Sequence, residues 1–293
     1  MLATLLDDYQ TLAIGGADAA RFLQGQQTQD VARLTPDVAL GGAFLTPKGR
    51  VVALATLLAR DGIVAILPAA LAAPLAAQLA RYVLRAKVTL ALPGSDLALA
   101  ALVPESESEL GARFGSLPPG THRALDAGVS VIGRRGYALL AGPAPALAAA
   151  LGVAPTAAAR AALELAAVRG GEPSVAAATS GEWIPQMLNL DLLDAISFSK
   201  GCYTGQEIVA RTQHLGRIKR RMYRYRSEAP ASALPAGTPL VHAGGKVGEV
   251  VRAAPLARGS ELLAVVSVES AGVTLSTADG AGVVPEALPY DVP

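Results

Sequence analysis

Apolar positions along this chain change period several times, and each change marks an element. Between Asp18 and Leu34 they suit one helical face, with Asp18 as N-cap and Phe22, Leu23, Val31 and Leu34 turned inward. Thr46-Pro47-Lys48-Gly49 then predicts a turn between strands at 42–45 and 50–59, and Asp61-Gly62 a second hairpin into a strand at 63–67. Leu71, Leu75, Leu79, Tyr82 and Val83 recur at helical spacing over 69–87, and a strand follows at 88–92, closed by Pro93-Gly94. The polar stretch 104–123 reads as a long loop or crossing. After it the order partly returns: strands at 129–132 and 137–140, a helix at 144–151, and another over 157–168 capped by Thr156. From Met222 onward short β runs alternate with turns, at 222–226, 239–242, 248–251 and 261–268. The whole predicts an α+β protein, with two related modules followed by a small antiparallel barrel or sandwich.

Composition narrows this further. A chain of 293 residues, 52% hydrophobic and 17% charged, is large enough for two or three domains and too apolar for disorder. Two uncharged runs, 62–80 and 137–159, reach membrane-spanning length. Pro68 and Pro74 break the first and Pro143, Pro145 and Pro155 the second, so each reads as a buried strand followed by an Ala-rich helix. The first ten residues lack a basic, apolar leader pattern, which together with these runs predicts a cytoplasmic protein. The net charge of +1 provides no global field for nucleic acid or an acidic membrane, and stable binding to neither is expected. One cysteine excludes an intramolecular disulfide and cannot hold an iron–sulfur cluster alone; three scattered histidines show no zinc spacing, so no resident metal is expected.

That cysteine, Cys202, carries the candidate chemistry. Thr204-Gly205-Gln206-Glu207 matches a capping box, in which Thr204 caps a helix and Glu207 reaches back to the Thr204 amide. Cys202 would then lie near the positive end of a helix and beside Lys200, both of which favour thiolate. The competing reading is a buried cysteine acting as a small hydrophobe. His214 would sit at the far end of the helix, about 15 Å away by helical rise, which disfavours a local Cys–His dyad. The basic run Arg217, Lys219, Arg220, Arg221, Arg224, Arg226 is either a solvated strand face or a surface for an anionic partner.

The sixteen residues Ile196-Ser197-Phe198-Ser199-Lys200-Gly201-Cys202-Tyr203-Thr204-Gly205-Gln206-Glu207-Ile208-Val209-Ala210-Arg211 resemble the signature of the YgfZ family, folate-binding relatives of the glycine-cleavage T-protein, an aminomethyltransferase. The segments 184–191 and 22–30 fit the same family, and 47–50 and 81–88 are weaker matches in the expected order. The resemblance implies a T-protein-like ring of three domains: 1–47 with 115–220, 48–114, and a barrel at 221–293. It implies a tetrahydrofolate-binding accessory factor for iron–sulfur cluster assembly or repair in client enzymes, including tRNA-modifying ones. Folate and iron–sulfur client proteins would be its partners. Cys202 would act with Lys200, Tyr203, Gln206, Glu207 and Arg211 around it, and Asn189, Asp191, Asp30 and Glu172 would contact folate. Two departures stand out. Where T-proteins carry an acid, Val51 to Ala55 has none, which argues against aminomethyl transfer. Arg169 stands where the family often has a glutamate that pairs with the pterin, with Glu172 a substitute from a shifted loop. An aminomethyl or one-carbon transferase and a non-catalytic interaction module are the alternatives.

Overall fold

The computed structural model describes residues 1–93, 96–106, 108–214 and 216–293. The chain opens with strands β1 (Leu2–Leu5) and β2 (Tyr9–Gly15), helix α1 (Ala19–Gln24), and strands β3 (Leu40–Leu45) and β4 (Val51–Ala59). Next come β5 (Ile63–Pro68), helix α2 (Ala69–Val83), β6 (Thr89–Ala91) and β7 (Leu97–Val103). Helix α3 (Ser108–Phe114) precedes β8 (His122–Ala124), β9 (Ser130–Arg134), β10 (Tyr137–Pro143), and helices α4 (Ala144–Leu151) and α5 (Ala157–Arg169). Helix α6 (Gln206–His214) leads to six further strands: β11 (Arg220–Ser227), β12 (Pro239–His242), β13 (Gly245–Pro255), β14 (Ser260–Ser267), β15 (Leu275–Thr277) and β16 (Gly282–Glu286).

These strands form two five-stranded antiparallel sheets and a closed barrel. One sheet runs β3-β4-β5-β2-β6, the other β1-β7-β10-β9-β8, and the barrel β11-β14-β13-β12-β15-β16. Side-chain alternation sets the layers. On the first sheet Leu12, Ala53, Leu57 and Leu67 pack against Leu71, Leu75 and Leu79 of α2. From its other face Leu58 and Ile66 meet Leu99, Ala101, Ile132 and Leu139 of the second sheet. The second sheet buries Ala100, Leu102, Val131 and Leu140 under Leu147 and Leu151 of α4. Two related α+β modules are thus packed sheet to sheet, with a helix on each outer face.

The two uncharged runs become β5 with α2 and β10 with α4, and no helix among the described residues is long and apolar enough to cross a membrane. Several local expectations are corrected. The helix over 18–34 stops at Gln24 and resumes only as a 3-10 turn over Val31–Arg33; Asp18 holds the N-cap position, but its carboxylate accepts from the Lys87 amide at 2.8 Å and makes no capping bond to the helix. Helix α2 ends at Val83, and the polar stretch 104–123 contains α3 and reaches β8. Gly94 of the Pro93-Gly94 turn lies outside the described residues. Strands β15 and β16 carry too few large apolar residues to stand out in sequence. The division at 47/48 is also corrected, because β3 and β4 are hydrogen-bonded neighbours across it, with Phe44 opposite Ala53. Likewise β7, inside 48–114, pairs with β1 and β10 of the other sheet. The modules interleave: residues 1–5 and 97–143 build one sheet, and 9–91 the other.

Candidate functional site

Where the two sheets diverge, a cavity of about 560 Å³ opens between them. Its apolar wall comes from Leu40, Leu54, Ile66, Ile132, Val175, Leu190 and Leu193. One polar end is Glu172, which is buried. Glu172 Oε2 accepts from Arg134 Nη2 at 3.0 Å, Arg134 Nε at 3.3 Å and the Tyr137 hydroxyl at 2.8 Å; Oε1 accepts from the Arg135 amide at 3.0 Å. Burial alone would raise this carboxyl, but Arg134 and the other donors hold it below the usual carboxylate range. A carboxylate offers about four lone-pair sites, two on each oxygen, so Oε1 retains room for one more donor. Arg33 and Asp194, also in the lining, form an exposed two-pronged ion pair, Nη1–Oδ1 3.1 Å and Nη2–Oδ2 2.7 Å.

The chain leaves the cavity wall at Leu190 to Ala195 and proceeds directly to the cysteine. Buried Gln27, Thr28 and Gln29 hold this passage. Thr28 Oγ1 donates to the Ala195 carbonyl at 2.7 Å, and the Thr28 carbonyl accepts from the Ser197 amide at 2.9 Å. The Lys200 ammonium turns inward and donates to the carbonyls of Gln27 (2.7 Å) and Gln29 (2.8 Å), 5.0 Å from the centre of the Tyr203 ring. Burial pushes Lys200 down to about 8, with Asp30 opposing, and pushes Tyr203 up to about 12. Beyond it Cys202 is exposed. The following turn rests on a glycine-to-glycine contact. Gly205, at φ +80°, lies so close to the β3–β4 turn that a Cβ there would stand 2.6 Å from the Thr46 carbonyl and 3.0 Å from the Gly49 Cα.

The expected capping box does not form. Helix α6 begins at Gln206, Thr204 reaches back toward Gly25 and Gln26, and Glu207 pairs with Arg211 at 2.7 Å on the surface. Gln206 instead accepts from the Tyr203 amide at 3.2 Å. A left-handed Gly205 between Thr204 and the helix removes Thr204 from the cap position. Neither the Lys200 ammonium nor a Thr204-capped helix start stands where the sequence reading put it. The buried-cysteine alternative is overturned by the exposure of Cys202.

Of the four residues expected to contact folate, only Glu172 lines the cavity. Asp30 caps the 3-10 turn, accepting from the Ala32 amide and from Gln24 Nε2 at 2.8 Å. Asn189, left-handed and buried, donates to the Met222 carbonyl at 2.7 Å. Asp191 is locked to Arg221 of β11 at 2.8 and 3.0 Å, both side chains almost wholly buried. Asn189 and Asp191 therefore weld the loop to the barrel. Arg169 does likewise, pairing with Glu261 of β14 at 2.7 Å, outside the cavity lining. Much of the basic run is also structural: Arg220 pairs with Glu249, Arg221 with Asp191, and Arg224 with Glu261 and Glu286. The sequence reading did not single out Arg33, Arg134 or Asp194, because nothing local marks a charge whose partner lies many residues away.

No family model matches the chain. It is 32% identical over 225 residues to the tRNA-modifying protein YgfZ of Colwellia psychrerythraea, covering 74% of this chain and 69% of that one. The tRNA-modifying protein YgfZ of Serratia proteamaculans is 29% identical over 279 residues, covering 89% and 82%. Among solved structures, the glycine cleavage system aminomethyltransferase T of Bartonella henselae superposes with a TM-score of 0.74 at 17% identity, over 98% of this chain and 85% of that one. That likeness fixes the fold as the aminomethyltransferase one, and the identity and coverage of the relatives show that the chain belongs to the YgfZ family.

Proposed function

We propose that this protein binds tetrahydrofolate in the cavity between its sheets and acts through Cys202 as an accessory factor for iron–sulfur clusters in client enzymes, tRNA-modifying enzymes among them. The observation that supports this most is continuity: one loop lines the cavity with Leu190, Leu193, Asp194 and Ala195 and, seven residues after Ala195, presents an exposed thiol. The cavity suits the ligand class. Its apolar walls accept a flat ring system, Glu172 Oε1 can take one pterin N–H, and Arg33, Arg134 and Arg135 are among the lining residues. Bound there, tetrahydrofolate would supply a reduced pterin able to carry one-carbon units or donate electrons. Glu172 orients the ring, and the sheets exclude water. A single exposed thiolate is a nucleophile and a soft ligand, suited to a transient contact with a partner's sulfur or iron.

Aminomethyl transfer is less well supported. Strand β4 carries no acid between Val51 and Ala55, and Glu172 is tied to Arg134, so neither supplies a free general base. The test is complementation of a bacterial strain lacking its own family member. Cys202→Ser should accumulate to the wild-type level and fail to restore iron–sulfur client activity under oxidative stress. Full restoration would make the module a non-catalytic one with respect to its thiol. In parallel, tetrahydrofolate should raise the melting temperature saturably. No shift at millimolar ligand would remove the folate half.

A further inference from the structure

We infer that the turn closing α2, residues 81–87, is the surface on which an acidic face of the iron–sulfur client docks, with Leu84 as its apolar anchor. This rests on the client reading above and names the surface that the client meets. Leu84 ends α2 at φ +46° and is 87% exposed, the most of any large apolar residue described. The other described non-glycine residues at positive φ are Asp, Asn and Ala. Asp and Asn bond locally in that conformation, and Ala is small. Helices commonly give this place to glycine, which bears no Cβ penalty. A leucine here carries backbone strain and buries little, while its neighbours Tyr82 and Val83 pack against the core without it. One exposed leucine is ordinary on a surface. One held in a strained conformation points to a use outside the fold.

The charges around Leu84 specify what would cover it. Arg81, Arg85 and Lys87 are exposed, and their side chains make no ion pair or hydrogen bond with a described residue. The sequence holds no acid between Asp61 and Asp96. Asp18 accepts from the Lys87 amide at 2.8 Å and lies 3.8 Å from exposed Arg21, so it leaves the three other cations unpaired. The dipole of α2 favours cations at this end but gives no reason for the leucine. An apolar centre in an arginine-rich rim is the anatomy of a protein interface, with the complementary charge on the partner. A phosphate backbone would use the cations and leave Leu84 idle. Helix α1 ties the turn to the thiol loop. At its start the Asp18 amide donates to the Lys87 carbonyl at 3.2 Å; at its end the Gly25 carbonyl accepts at 3.0 Å from the amide of Thr204, two residues past Cys202. From Asp18 to Gly25 the helix rises about 10 Å, whereas one side of a standard interface is roughly 30 Å across. The separation of turn and thiol loop is thus within the span of one client.

The experiment repeats the complementation with Leu84→Gly and with the pair Arg81→Glu and Arg85→Glu. Each purified protein is then titrated with the purified iron–sulfur client whose activity that assay reads. Leu84→Gly should keep or raise the melting temperature, because glycine relieves the positive φ, and Cys202 should react with a thiol reagent at the wild-type rate. Both variants should nevertheless bind the client at least about tenfold more weakly and lose most of the restored activity. Wild-type binding should weaken as salt rises, and Cys202→Ser should bind the client as wild type does, since the thiol acts after docking. A lower melting temperature in Leu84→Gly would show that the leucine supports the fold and overturn its role as anchor. If Leu84→Gly binds and restores like wild type while the charge-reversed pair fails and loses an affinity for bulk tRNA, the patch reads RNA and the inference is wrong. If both variants bind and restore like wild type, the turn is not the docking surface, and the client reading survives. If wild type neither restores a client nor binds it, the client reading falls and takes this inference with it.

Discussion

Asp191 and Asp194 stand three residues apart on one loop, each clasped by an arginine through two bonds, and their environments give them opposite roles. The Asp191–Arg221 pair is almost fully buried, and the Asp194–Arg33 pair is open to water. Taking two charges out of water is costly, so the inner pair persists only because each partner satisfies the other, and breaking it leaves a bare buried charge. The outer pair gives up little when it opens. Burial, rather than residue type or distance, turns the same contact into a rivet in one place and a latch in the other.

The comparison is broken most severely from the inside. Arg221→Ala should lower the unfolding free energy by about 3–5 kcal/mol, measured by urea denaturation, because Asp191 stays buried and unpaired. Replacing both partners with apolar residues, Arg221→Met with Asp191→Leu, should recover most of that loss. If the single and double variants are equally destabilised, the rivet reading fails.

Glu172 extends the contrast to pH. Its folded-state carboxyl is held below the ordinary glutamate value of about 4.5, so the stability it contributes is present above about 4.5 and lost as pH falls through the lower folded value. Acid titration of wild-type stability should show this loss, and Glu172→Gln should flatten it. An unchanged profile would place the acid-sensitive charge elsewhere.

A smaller effect is expected at the cysteine turn. Gly205→Ala adds a Cβ against the Thr46 carbonyl at a positive φ and should cost about 1–3 kcal/mol. It should also change the rate at which Cys202 reacts with a thiol reagent, since the turn holds the loop against the β3–β4 hairpin. Least of all, Arg33→Gln should shift stability by less than about 1 kcal/mol, measured in the same denaturation series. A larger loss would show that the latch is a rivet after all.

What could be read from the sequence follows from range. The Thr46–Gly49 and Asp61-Gly62 turns, the start of α2, α5 with its Thr156 cap, and four barrel strands depend on neighbours within a few residues, and they stand where periodicity places them. The partition into modules depends on β1 pairing with β7 and β2 with β6, across about a hundred and about seventy-five residues, which no local pattern encodes. The site divides the same way. The signature around Cys202 was legible as a motif, yet the direction of Lys200 depends on the carbonyls of Gln27 and Gln29, more than 170 residues earlier. Asn189 and Asp191 looked like ligand contacts because polar residues in a family motif invite that reading. Their partners on β11 make them structural.

The bonds from that loop to the barrel also govern when the molecule can mature. A ribosome releases the chain from its N-terminus, and domains fold roughly in that order. Both sheets are complete once residue 143 has emerged, but Arg221 for Asp191, Arg252 for Glu164 and Glu261 for Arg169 all arrive later. Until then the segment carrying the thiol has no anchor at its Asn189–Asp191 root. The cysteine is thus displayed in its final setting only on a finished chain, and a nascent or truncated protein would leave Asp191 without its partner.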